Sequence, residues 1–404
     1  MKILLLNQTF YPDNAATAQH LVDLAIELVQ RNHSVDVVSD IRSYDDRNKL
    51  LPRVETYKGV RIHRIGTTAF GKKSKFHRGL DYLSFNISLL FKMLSLPRYD
   101  CVIGLTTPPW ISIFGVMFCK FKGGRFTHWA MDVNPDEAVK LGWVKHGSFF
   151  YRLLNAWACF TYGKSNKIIA LDKYMAGLIR SKGINSNKIC IIPPWAHDDI
   201  KPISHKENVF RKKYKLEDKF IVMYSGNFSI CHPINTVLES ARALRNDHQI
   251  VFVFIGGGVR LDEILEYKET YKLDNIIYLP YQEREDLKYS LPAADLHIVS
   301  MGDDYVGIVH PSKIYGILQS GRPFVLIGPK NCAIGDIIAN HRIGYQVEHN
   351  DVRGLLQIVD KVRMLSESEK REIARKSYAL STNQFSRKHS INLIINAIHN
   401  STIL

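Results

Sequence analysis

Cysteine is scarce and scattered in this chain. Its six thiols (Cys101, Cys119, Cys159, Cys190, Cys231, Cys332) form no Cys-x-x-Cys pair, and no histidine cluster stands at zinc-ligand spacing. This excludes a disulfide scaffold and a structural zinc module, and is met most simply by buried thiols in a reducing compartment. Acidic residues are also short, 39 against 54 Lys and Arg, which leaves a formal charge of +15. An excess of that size implies an anionic partner: a nucleic acid, a membrane surface or phosphorylated small molecules. Long apolar runs are missing. Val102 to Cys119 carries no formal charge, yet Pro108 and Pro109 cut it into a strand and a short helix, which excludes a membrane span there. The apolar start, Met1 to Asn7, is too short for a signal peptide and long enough for a buried strand, so a cytoplasmic location is expected. Neither loop that follows a domain's first strand spells Gly-x-Gly-x-x-Gly, which argues against a nicotinamide or flavin cofactor. There is no Asp-x-Asp motif, and Asp303-Asp304 reads as a solvated loop. No catalytic metal is expected.

What is present is an α/β pattern repeated. At 404 residues the chain exceeds one ordinary core and fits two domains, and 46% apolar with 23% charged residues is the composition of a globular protein. Lys2 to Leu6, a polar loop from Tyr11 to Thr17, an amphipathic helix from Leu21 to Val29 and Val35 to Val38 make a strand, loop, helix and strand. Phe220 to Tyr224, Gly226 to Pro233, Ile234 to Leu244 and Ile250 to Ile255 repeat the order. Units of this kind build parallel sheets by right-handed crossovers. The expected fold is therefore two doubly wound, Rossmann-like domains facing a cleft, the default active site. The expected domains are 1–198 and 199–384, the polar stretch from His197 to Lys213 marking their boundary. A last helix within Phe385 to His399 crosses back onto the first domain.

The most informative stretch is Gly307-Ile308-Val309-His310-Pro311-Ser312-Lys313-Ile314-Tyr315, which leads to Gly321-Arg322-Pro323. Strand Leu296 to Ser300 precedes it. Ser312 can cap a helix, Ile314, Tyr315, Ile317 and Leu318 give it an apolar face, and Gly321 ends it before strand Phe324 to Ile327. Free amides at that helix start, with Lys313 beside them, form a seat for a diphosphate and point to a nucleotide-linked substrate. Ser225-Gly226-Asn227-Phe228-Ser229 is either an ordinary strand-to-helix turn or a second contact to the same phosphates.

In this order and spacing the chain resembles the retaining glycosyltransferases of family 4, with their two-domain glycosyltransferase B fold. The resemblance rests on Lys2 to Leu6 with Phe10-Tyr11-Pro12, His33-Ser34-Val35, Tyr224-Ser225-Gly226-Asn227, Ile255-Gly256-Gly257-Gly258, Leu279-Pro280-Tyr281, Ala293-Ala294-Asp295 and Pro311-Ser312-Lys313-Ile314-Tyr315-Gly316. Trp129-Ala130-Met131-Asp132-Val133-Asn134-Pro135 is similar to the branch that makes bacterial surface polysaccharides, fucosamine transferases among them. The resemblance implies transfer of a sugar from a nucleoside diphosphate, a UDP-sugar being favoured, with retention and without a metal. The incoming hydroxyl attacks from the front face and gives its proton to the leaving phosphate. One departure is plain. Many members carry two glutamates eight residues apart in this loop and helix, and here those positions hold Ile308 and Gly316.

The candidate catalytic groups are Lys313, His310 and Asp132, the last either orienting an acceptor hydroxyl or capping the helix at Glu137. Donor-binding candidates are Gly226, Asn227, Ser229, His232, Gly257, Tyr281, Pro311, Ser312 and Tyr315; acceptor-binding candidates are His128 and Glu137. Lys72-Lys73-Ser74-Lys75-Phe76-His77-Arg78, which leads into Leu80, Leu83, Ile87, Leu90, Phe91 and Leu94, and the helix opening Phe149-Phe150-Tyr151 either pack on the sheet or rest on anionic lipid. A polyprenyl-diphosphate-linked or surface-glycan acceptor accounts for charge and helices together. Two further readings stay open: a nucleotide-sugar epimerase, which needs carboxylates lining the sugar pocket, and a non-catalytic partner. No nucleic-acid motif is present, so no nucleic-acid partner is expected.

Overall fold

The computed structural model describes residues 1–44, 46–70 and 75–399. It divides into two compact units, Met1–Pro193 with Gly307–His310 and Ile391–Leu404, and Pro194–Val306 with Pro311–Ser390.

The first unit comprises β1 (Lys2–Leu6), α1 (Ala16–Gln30), β2 (Ser34–Asp40), β3 (Val54–Tyr57), β4 (Val60–Ile65), α2 (Lys75–Ser95), β5 (Cys101–Gly104), α3 (Ile111–Lys122), β6 (Arg125–Trp129), α4 (Asp136–Lys140), α5 (Phe149–Lys164), β7 (Lys167–Ala170), α6 (Lys173–Ser181) and β8 (Ile189–Ile191). Its sheet runs β3-β4-β2-β1-β5-β6-β7-β8, parallel except for the β3–β4 hairpin. The apolar strand β1 is central, with Leu4 opposite Asp36 on one side and Val102 on the other. A strand covered on both faces is apolar throughout.

The second unit comprises α7 (Val209–Lys213), β9 (Phe220–Ser225), α8 (Asn235–Ala243), β10 (Ile250–Ile255), α9 (Leu261–Tyr271), β11 (Ile276–Leu279), α10 (Leu287–Ser290), β12 (Leu296–Ser300), α11 (Lys313–Ser320), β13 (Phe324–Ile327), α12 (Ala333–His341), β14 (Tyr345–Val347), α13 (Val352–Arg363) and α14 (Glu367–Asn383). Its six strands are all parallel, in the order β11-β10-β9-β12-β13-β14, which is a doubly wound sheet. Val222 and Tyr224 of β9 with Phe252 and Phe254 of β10 enter the core on one face, while Ile221, Met223, Val251 and Val253 enter that on the other. The chain ends in α15 (Arg387–His399), which from Ile391 onward counts with the first unit.

All six cysteines are free; four are buried, whereas Cys159 and Cys190 are only partly so. Among the described residues no helix is long and apolar enough to cross a membrane.

Candidate functional site

In a parallel sheet the strand ends at the carboxyl edge carry the loops that meet ligands. At that edge of the second unit, the turn after β9 and the turn after β10 lie back to back. A Cβ on Gly256 would fall 2.1 Å from the Gly226 carbonyl oxygen, and one on Gly258 2.4 Å from Asn227 Oδ1. The Phe228 amide donates to the Gly257 carbonyl at 2.8 Å, and the hydroxyls of Tyr278 and Tyr281 donate to the carbonyls of Gly256 and Gly257 at 3.2 and 3.1 Å. The φ values of Gly226 and Gly256, 132° and 138°, belong to a region that side-chain-bearing residues avoid.

Lys313 lies against this double turn. Its Cε and Nζ would be 3.5 and 3.7 Å from a Cβ placed on Gly226. Nζ donates to the Tyr224 hydroxyl at 2.6 Å, and that hydroxyl donates in turn to the Asn227 carbonyl at 3.1 Å. Tyr224 can serve only as a neutral relay, because burial pushes its phenol well above the usual range. No carboxylate lies within ion-pair reach of Lys313 among the described residues, and burial brings its ammonium down to about 7. A desolvated cation without a counter-ion, at a glycine-lined strand edge, is chemistry set up for an anion.

Among the described residues the amides of Ser312 and Lys313 make no hydrogen bond at the start of α11, nor does that of Asn227. The Gly226 amide is not available, since it donates to the Ile255 carbonyl at 2.9 Å. Ser312 does occupy the cap position, but its side chain makes no cap bond, which corrects the expectation for that hydroxyl. Gly321, at φ 68°, ends the helix as expected. His232 is buried with Nδ1 2.7 Å from the Ser300 carbonyl; burial first, and then the charge of Lys313, hold its imidazole well below the usual range, so it is neutral. Ser229 contacts Cys231 Sγ through its hydroxyl at 3.3 Å. Tyr281 is exposed beside Gly257, and Pro311 is buried at the foot of α11. Tyr315 stands apart from this group, its ring packed edge-on against Phe385 at 5.2 Å. Gly316 faces apolar contacts, since a Cβ there would meet Leu291 at 2.9 Å and Ile200 at 3.9 Å. A glutamate at this position would set out against these apolar carbons.

In the first unit His310 is held by Asp172, Nδ1 to Oδ2 at 2.7 Å. Burial alone would raise the Asp172 carboxyl; hydrogen bonds from His310 and from the amides of Met175 and Tyr174 outweigh it and lower the group instead. Asp172 also caps α6 through the Met175 amide, at 2.8 Å. Ile308 is buried, and its carbonyl accepts from the Val133 amide at 2.9 Å. Asp132 follows β6 and makes no side-chain hydrogen bond among the described residues. Its carboxyl is raised well above the usual range, by burial first and by the charge of Glu137 second. It does not cap α4, whose N-cap is Pro135; Glu137 accepts from Asn134 Nδ2 at 3.3 Å. His128 is buried, 2.8 Å from the Ser112 hydroxyl and lowered to about 3 by burial, so it is a neutral core group beside Tyr162.

Tyr224 and Asp172 escaped the sequence reading. Asp172 had a signal, an acid between a strand and an amphipathic helix, which reads as a cap. Tyr224 looked like one more apolar strand residue. Asp303 and Asp304 are exposed, and no group of three or more His, Cys, Asp or Glu among the described residues is placed to hold a metal.

Two family models match this chain: Glycosyltransferase Family 4 over residues 17–199 and Glycosyl transferases group 1 over residues 205–379. A protein of Pseudomonas aeruginosa named as a probable glycosyltransferase, WbjE, is 22% identical over 293 residues, 72% of this chain and 73% of its own. WcaI of Escherichia coli K12, named as a putative colanic acid biosynthesis glycosyl transferase, is 22% identical over 351 residues, 83% of this chain and 86% of its own. The Anabaena protein Alr3699/HepE, solved in complex with UDP and glucose, superposes with a TM-score of 0.74 at 14% identity and covers 99% of both chains. At that identity the likeness carries the fold alone.

Proposed function

Because this chain belongs to the family 4 glycosyltransferases, with two Rossmann-like domains of the B fold, we propose that it moves a sugar from a nucleoside-diphosphate sugar, UDP-sugar being favoured, to a hydroxyl of a lipid-linked or surface-polysaccharide acceptor, with retention and without a metal. The observation that carries this reading is Lys313, a partly buried ammonium with no carboxylate partner among the described residues, beside a glycine double turn. The name of the Escherichia coli relative supports a surface-polysaccharide acceptor, and the UDP of the Anabaena complex supports the base.

The chemistry follows from charge. As the bond between the anomeric carbon and the leaving phosphate oxygen lengthens, negative charge gathers on the diphosphate. Lys313 Nζ and the amides of Asn227, Ser312 and Lys313 stabilise that charge more in the transition state than in the ground state. The ammonium supplies part of the positive charge that a divalent ion would otherwise bring. The acceptor oxygen bonds to the anomeric carbon on the face the diphosphate leaves, and its proton passes to the departing phosphate oxygen, so configuration is kept. Asp132, protonated more readily than an ordinary aspartate, orients the acceptor hydroxyl. Part of the role of the glutamate missing at Ile308 falls to either His310, fixed by Asp172, or Lys313.

Thermal-shift titration with UDP, GDP and ADP in chelator, and then NMR of the product formed from the matching sugar nucleotide and a polyprenyl-linked acceptor, test this. Stabilisation by one nucleoside diphosphate, abolished in Lys313→Ala, and a product that keeps the donor's anomeric configuration are expected. No response to any of the three, or an inverted product, would refute the proposal.

A further inference from the structure

Helices of a doubly wound domain normally send one apolar face to the sheet and leave a polar face to water. The helix α2 departs from this by having two apolar stripes. Phe85, Leu89 and Met93 are buried in the core. Leu83, Ile87, Leu90, Phe91 and Leu94 recur at helical spacing on the other side, with exposures from 43% at Leu90 to 68% at Leu94. The sheet does not require this second stripe.

The neighbouring helices continue it. The crossovers β4 to β5, β5 to β6 and β6 to β7 all step the same way along the sheet, so right-handedness places α2, α3 and α5 on one face. The helix α2 packs on α3, and α3 on α5. Lys122 of α3 donates to the carbonyls of Met93, Leu94 and Leu96 at the end of α2. Trp110, before α3, meets Trp157 of α5 edge-on at 6.1 Å. Outward from this group stand Phe121, 78% exposed, and Phe149, 75% exposed, with Phe150, Trp157 and Phe160 also exposed. Large apolar residues so concentrated mark an interaction surface.

Charge selects the partner. Leaving aside Lys75 and Arg78, whose side chains lie outside the described residues, and Lys122, engaged with α2, the three helices carry Lys92, Lys120, Arg152 and Lys164 against one acid, Asp81. Asp81 is turned inward, bonded to the Thr68 hydroxyl at 2.7 Å and to the Phe70 amide at 3.1 Å, and it is buried. A face that mixes exposed aromatics with cations and shows no outward carboxylate of its own repels a second copy of itself and attracts an anionic bilayer. Residues 71–74 and the side chains of Lys75, Phe76 and Arg78, most of the basic segment expected to extend this surface, lie outside the described residues.

We propose that the outer face of α2, α3 and α5 docks on an anionic phospholipid bilayer, the aromatic rings entering the boundary between headgroups and acyl chains and the Lys and Arg side chains meeting the phosphates. The enzyme is then held at the membrane surface without crossing it. This inference goes beyond the proposed reaction and uses none of its residues.

Co-sedimentation of the full chain tests it, with vesicles of phosphatidylcholine alone and of equal parts phosphatidylcholine and phosphatidylglycerol. Binding to the anionic vesicles, weakened by salt, is expected, with little binding to the neutral ones. Lys120→Gln with Arg152→Gln should lower partitioning roughly 25-fold, each cation near the surface being worth roughly fivefold. Phe91→Ser, Phe121→Ser and Phe149→Ser together should lower it further, while the melting temperature and nucleotide affinity stay at wild-type values. Wild-type protein left in the supernatant, or variants that sediment as the wild type does, would overturn the proposal. So would a dimer that light scattering shows and the phenylalanine variants dissolve. Lost vesicle binding with nucleotide binding intact would sink this inference alone.

Discussion

The depressed ammonium of Lys313 makes nucleotide affinity depend on pH in a direction and over a range that few other groups share. In the free protein burial lowers it from 10.5 to about 7; a bound diphosphate returns it toward the ordinary value, because an anion at contact distance favours the charged form. Binding therefore takes up a proton above neutrality. At about pH 7 roughly half of the molecules already carry that proton, and at about pH 8.5 roughly one in thirty does, so affinity falls up to about fifteenfold, ~1.6 kcal/mol. Partial exposure of the side chain makes this an upper figure. Folding stability moves the other way: the unfolded chain keeps this proton up to 10.5, so the cost of burying the charge is full below about pH 7 and is relieved as pH rises toward 10.5. Isothermal titration of UDP between those two pH values, in buffers of different ionisation enthalpy, measures the fall and the proton uptake. Lys313→Arg, charged throughout, should flatten the profile. Wild-type affinity constant across this range, with no proton uptake, would refute the reasoning.

Other outcomes follow from single contacts. Tyr224→Phe keeps the ring among Phe228 and Phe254 but removes the hydroxyl that receives Lys313, so titration should show UDP affinity down about fivefold with melting little changed, the worth of one modest hydrogen bond. Gly226→Ala puts a Cβ at φ 132° and against Lys313, and calorimetry should record a loss of about 1–3 kcal/mol together with weaker nucleotide binding. Asp172→Asn keeps an oxygen to cap α6 but removes the charge that fixes His310; kcat should fall by about tenfold or more while the melting temperature holds, whereas an unchanged kcat would remove His310 from the chemistry. Asp36 is held far below the usual range: burial would raise it, but hydrogen bonds from His63, Arg61 and Tyr99 outweigh that, so its stabilising contribution is full above about pH 4 and disappears as pH falls below that value. Acid titration of Asp36→Asn against wild type measures this contribution.

Much of the fold was legible because parallel strands announce themselves. Lys2–Leu6, Ile250–Ile255, Leu296–Ser300 and Phe324–Ile327 are short apolar runs bounded by turn residues, and each is a strand over those residues. The helix of α11 was legible from its apolar spacing and from Gly321. What could not be read was side-chain direction. Periodicity assigns Tyr224 to the core and says nothing of its hydroxyl, which reaches the edge of the sheet and meets Lys313. Nor does spacing distinguish Ser312 as a cap from Ser312 with its side chain turned elsewhere, or show that the Gly226 amide is already spent on Ile255. Tyr315, grouped by proximity in the chain with Lys313, points to Phe385 because successive helical residues are about 100° apart.

The central claim is that the second unit's strand edge holds a nucleoside diphosphate by one ammonium and main-chain amides. A crystal structure of the full chain with UDP tests it most directly. The β-phosphate is predicted to lie within hydrogen-bond reach of Lys313 Nζ and of the amides of Ser312 and Lys313, with Asn227 alongside. A diphosphate seated elsewhere, with Lys313 still donating to Tyr224 alone, would contradict the account.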